Sequence, residues 1–215
     1  ALNKNTTANY NTAVGMRALA CNITAANNTA VGYESLKSNT TGTENVGIGK
    51  DVLLDNTSGA GNVAIGVEAL TNNTTASENV AVGKLAMFTN TTGAANTALG
   101  YQALRLNVSG ASNTAIGLCT LRANTGNNNT AVGRSALLAN TTGAANTAIG
   151  YLAMCSSAGA SNENTALGYA AGCTISTGDE NVMLGYRAGY NVTTGSCNIM
   201  IGSSACIDAG GTNNS

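Results

Sequence analysis

Asn96-Thr97-Ala98-Leu99-Gly100-Tyr101-Gln102-Ala103-Leu104-Arg105-Leu106-Asn107-Val108-Ser109-Gly110-Ala111-Ser112 is one unit of a tandem repeat, and its reading decides the fold. The opening Asn recurs at Asn11, Asn28, Asn45, Asn62, Asn79, Asn96, Asn113, Asn129, Asn146, Asn164, Asn181 and Asn198. The spacing is 17 residues six times, then 16, 17, 18, 17 and 17. A period this short leaves no room for a packed helix pair and suits one coil of a β-solenoid. Numbered from its Asn, each unit has Val, Ile or Leu at position 4 and Gly at position 5, without exception. Position 2 is Thr or its near-isostere Val, with Ile199 in the last unit. Ala-Leu pairs favour helix, but an invariant Gly, β-branched residues and recurring turns of the Asn-Thr-Thr-Gly kind, as at Asn39, Asn90 and Asn140, oppose it.

Alternation puts positions 2 and 4 on one face of a short strand and position 3 on the other. Position 3 is Ala or Gly except at Met183 and Met200. The expectation is that position 4 lines the interior and that the small position 3 is approached closely by another surface. Leu or Met at position 9, from Leu19 to Met154, supplies a second inward row. The fold class is therefore all-β, a parallel β-solenoid with one coil per roughly 17-residue repeat. Residues 1–215 read as a single solenoid of about twelve repeats, with a partial repeat at 1–10 and altered coils at 164–215, where Gly172, Gly189 and Cys206 occupy position 9. Both ends fall in phase with the repeat, Ser215 where another copy would begin, as in a stretch of a longer array.

Composition narrows the function classes. The chain of 215 residues has no Trp, Pro or His, one Phe, 9% charged residues and a net charge of −1. That balance carries no electrostatic footprint for nucleic acid, and no apolar run is long enough to span a bilayer as a helix. Without His, neither a Ser-His-Asp nor a Cys-His catalytic arrangement is available, so no enzyme activity, metal or cofactor is expected. Carboxylates at equal registers, such as Glu34 and Glu68 at position 7, read as a solvated surface row rather than an acid–base pair.

Three sets of residues stand out as candidate sites. At position 12, Asn5, Asn22, Asn39, Asn56, Asn73, Asn90, Asn107 and Asn140 each open an Asn-x-Ser/Thr triplet. They are acceptors for N-linked glycans along one edge, or equally a turn whose Asn side chains stack in ladders. Asn27, Asn72, Asn128 and Asn191 are weaker sequons off that row. Cys155 and Cys173 share position 10 of adjacent coils, within reach of a disulfide. Tyrosines at position 6, among them Tyr151, Tyr169 and Tyr186, are candidate glycan contacts or half-exposed fillers.

The Asn-Thr-Ala-Val-Gly and Glu-Asn-Val-Ala-Val-Gly stretches resemble the head repeats of trimeric autotransporter adhesins, which read Ser-Val-Ala-Ile-Gly-x-x-Ala. They are similar also to Asn-Thr-Ala-x-Gly repeats of tail-fibre-like and surface proteins of bacteria and viruses. The resemblance implies a left-handed β-roll with three chains side by side, Ala64, Ala81 and Ala98 facing a crowded axis. The expected function is a structural subunit of an extracellular glycosylated fibre on a cell or virion surface. Its partners would be its own copies, side by side and end to end, together with covalent glycans. The alternatives are an adhesin or receptor-binding head that contacts a surface receptor or glycan, and an ice-binding solenoid using Thr pairs such as Thr40-Thr41 and Thr91-Thr92.

Overall fold

A computed structural model describes residues 1–207. The chain folds as a parallel β-solenoid with one three-residue strand in each coil, at positions 2–4. It divides into two compact units, Ala1–Gly110 and Ala111–Ser215. In the first unit β1 (Thr12–Val14), β2 (Thr29–Val31), β3 (Val46–Ile48), β4 (Val63–Ile65), β5 (Val80–Val82) and β6 (Thr97–Leu99) pair in chain order. In the second, β7 (Thr114–Ile116), β8 (Thr130–Val132), β9 (Thr147–Ile149), β10 (Thr165–Leu167), β11 (Val182–Leu184) and β12 (Ile199–Ile201) do the same. Register is like on like, Ala64 beside Ala81 and Ile65 beside Val82. Residue Ser215 and the end of the 164–215 segment lie outside the described residues.

The backbone closes each coil with left-handed residues. Gly at position 5 takes a φ between 121° and 143°. A Cβ on Gly83 would sit 2.5 Å from the carbonyl oxygen of Gly100, so no side chain fits there. Positions 7, 9 and 17 also adopt positive φ, mostly with ordinary residues: Glu34 at 54°, Leu36 at 52°, Glu44 at 61°. A left-handed leucine costs about 1–2 kcal/mol. Burying that side chain fully returns roughly 1.5–3 kcal/mol, which is why the position-9 leucines hold the conformation. Leu19, Leu36, Leu53 and Leu70 are all completely buried.

The core reverses the sequence expectation. Position 3 points inward: Ala30, Ala64, Ala81, Ala98, Ala115 and Ala148 are fully buried. Positions 2 and 4 point out, with Ile48, Ile65, Ile116, Ile149, Leu167 and Leu184 exposed. One coil encloses too little space for two large rows. Leu at position 9 fills it, so the facing position 3 must be small.

The altered coils obey the same volume rule. A Cβ on Gly172 would lie 2.7 Å from the Sδ and Cε of Met183, and one on Gly189 would lie 2.7 Å from its Sδ and Cγ. Large and small have exchanged places: Met at position 3 fills what Leu at position 9 fills elsewhere.

Candidate functional site

From Asn28 to Asn198 the position-1 Asn is buried, and from Asn22 to Asn140 so is the Asn at position 12; Asn11 is half-buried. The position-12 residues do not form an exposed sequon edge. Asn22, Asn39, Asn56, Asn73, Asn90, Asn107 and Asn140 have no solvent exposure, and Asn5 is half-buried. Asn56 Nδ2 donates to Asn39 Oδ1 at 2.8 Å and to the Gly59 carbonyl at 3.0 Å. Asn73 repeats this with Asn56 at 2.7 Å and Ala76 at 2.9 Å. At the sequon residues from Asn22 to Asn140 both amide hydrogens of the glycan-accepting nitrogen are engaged, so the folded coil has no place for a sugar there; Asn5 donates to the Ala8 carbonyl alone. Asn27, Asn128 and Asn191, the off-row sequons, are the exposed ones, while Asn72 is half-buried.

The ladder ends for a visible reason. Position 12 becomes Ser157, too short to reach the preceding coil, and its hydroxyl lies 2.6 Å from that of Ser161. Asn140 Oδ1 is left buried without a partner. Beyond it, Ile175 and Val192 fill the slot with fully buried aliphatic side chains.

Turn threonines bond from coil to coil. Thr40 Oγ1 donates to the Thr57 carbonyl at 3.0 Å, Thr57 to Thr74 at 3.0 Å and Thr91 to Val108 at 3.1 Å. The first hydroxyl of each turn pair is therefore committed within the fold, while the second residue, as at Thr41 and Thr92, is exposed.

Cys155 and Cys173 form a disulfide, their Cα atoms 5.0 Å apart, between the 18-residue coil and the next. Beside them at position 6, the rings of Tyr151 and Tyr169 stack with centroids 5.2 Å apart and planes 18° from parallel. Tyr169 and Tyr186 stack likewise at 5.3 Å and 16°. Arg134 lies 5.7 Å from the Tyr151 centroid. Both faces of Tyr169 are therefore covered, and a sugar has only the ring edges to meet. An open cleft of about 270 Å³ adjoins the stack, lined in part by Tyr169, Tyr186, Arg187, Tyr190 and Cys173. Within it the Arg187 guanidinium sits 4.1 Å over the Tyr190 ring.

Charge gathers at one further place. Glu34 accepts from Arg17 at 2.5 Å and from Lys37 at 3.0 Å. The Lys37 hydrogen bond, with the Arg17 charge behind it, holds the Glu34 carboxyl below its ordinary range against the opposing effect of burial.

One surface feature is a face that the alternation pattern assigned to the interior. In each unit, positions 2 and 4 form two parallel outward rows of Thr, Val, Ile and Leu with no charged residue among them. Its signal was present in the sequence as the anticorrelated sizes at Met183, Met200, Gly172 and Gly189, since positions that trade volume must face each other inside. No family model matches the chain, and no curated protein or solved structure does either.

Proposed function

We propose that this chain is a structural segment of an extracellular fibre whose copies associate side by side through the aliphatic face of the sheet. The observation that carries the reading is that face: a regular row of exposed or half-buried aliphatics at position 4 beside an uncharged row of Thr, Val and Ile at position 2, in register along each unit. Contiguous apolar surface of this kind marks an interaction site. Uniform rungs favour a partner of the same period, which another copy of the chain supplies. Three copies are what the repeat resemblance implies, and the position-12 row is free of glycans in this reading. Sedimentation equilibrium tests it: a species of three times the 21.2 kDa chain mass is expected, with thin filaments in electron micrographs. A stable monomer at micromolar concentration overturns the proposal.

A second reading, a receptor- or glycan-binding head, draws on the cleft beside Tyr186, Arg187 and Tyr190. It expects glycan-array binding that Tyr190→Ala abolishes. Binding unaffected by that change would remove the cleft from consideration.

A further inference from the structure

We propose that Tyr151, Tyr169 and Tyr186 are an oxidative coupling site, at which a one-electron oxidant of the peroxidase–hydrogen peroxide class joins neighbouring coils through dityrosine. The three phenols are held ring to ring at 5.2 and 5.3 Å by the coil register itself. They are accessible, at 39%, 48% and 52% exposure. With both faces of Tyr169 covered, its exposure lies at the ring edge, where the ortho carbons are.

The chemistry balances. Each of two neighbouring phenols loses one electron and one proton to become a phenoxyl radical, and one peroxide takes up both electrons and both protons to give two waters. The unpaired electron spreads onto the ortho carbons. Two such carbons form a C–C bond, and the two hydrogens they carried move through solvent to the oxygens as the rings regain aromaticity. The product has lost two hydrogens overall. Holding both partners in contact favours coupling between them over coupling between chains.

Two features of the molecule support the assignment. The disulfide Cys155–Cys173 joins the same two coils as Tyr151 and Tyr169, so both pairs of oxidisable side chains staple one junction. Tyr33 occupies the same position 6 with similar exposure, 41%, but has Met16 and Lys50 as its neighbours in the row. It is an internal control at the same coil position without a second phenol beside it.

The test treats the dilute full-length chain with peroxidase and hydrogen peroxide, then reads dityrosine fluorescence and cross-linked peptides by mass spectrometry. Links between Tyr151 and Tyr169 or between Tyr169 and Tyr186 are expected, within one chain. Tyr169→Phe keeps the stack but breaks both pairs, and should lower the intrachain yield roughly tenfold. Tyr33→Phe should leave it unchanged. Coupling only through Tyr10, only between chains, or undiminished in Tyr169→Phe overturns the proposal.

Discussion

Glycine at position 5 and alanine at position 17 both sit at positive φ, yet substitution has opposite consequences at the two. Gly83→Ala forces a Cβ to 2.5 Å from the Gly100 oxygen, and backbone on both sides is fixed by coil-to-coil bonds. We expect a loss of about 3 kcal/mol or more, read from urea unfolding. Ala95 is exposed at a φ of 57°, where its own Cβ is the strained group. Ala95→Gly should raise stability by about 0.5 kcal/mol, the left-handed penalty relieved less the added chain entropy. The buried Asn row behaves differently again. Asn73→Val leaves Asn56 Oδ1 and one Asn90 amide hydrogen without their partner, while the Ala76 carbonyl keeps the bond from Asn62. At about 1–3 kcal/mol for each orphaned group, the cost should be roughly 2 kcal/mol or more in the same assay. Val192 occupies the equivalent position without this cost because position 12 of the coil before it is already Ile175.

At the level of the coil, the exchange between positions 3 and 9 makes a quantitative claim. Met183→Ala empties the space over Gly172 and Gly189 and should cost about 2–5 kcal/mol. Gly172→Leu alone drives a side chain into the Met183 thioether and should also destabilise. The double variant places leucine at position 9 of one coil against alanine at position 3 of the next, as in the first unit, and leaves only the space over Gly189 open. Its stability should exceed the sum of the two single changes by 1 kcal/mol or more, as coupled neighbours do. Additive effects in a double-mutant cycle would show that the two positions do not share one space. The φ of 60° at position 172 lies close to the 52° and 49° of Leu36 and Leu53 and equals that of Leu85, so leucine can hold it.

For the whole molecule, the outward aliphatic rows set the expected behaviour in solution. Ile48→Lys combined with Ile65→Lys places two charges on adjacent rungs of the exposed face without touching the Ala and Leu core. Such a variant should remain folded by circular dichroism and sediment as a monomer, whereas Lys at the exposed position-17 residues Glu44 and Glu78 should leave assembly intact. Loss of folding along with assembly would mean that the face is stabilised only within the oligomer, as in obligate assemblies.

The amino-acid sequence by itself determined the coil: its 17-residue period, its parallel like-on-like register, the glycine that turns it and the proximity of Cys155 to Cys173. These follow from local chemistry repeated at a fixed interval. The sidedness of the strand was settled only by the tertiary structure, because alternation separates two faces without saying which is enclosed. That choice depends on volume shared between positions six residues apart and between successive coils, a sum no single unit displays. The same closure turned the Asn-x-Thr row from a prospective glycan edge into a buried hydrogen-bond ladder, and brought three tyrosines face to face. Once Leu at position 9 fills the narrow interior, only Ala or Gly fits opposite, and the larger aliphatics are left facing out.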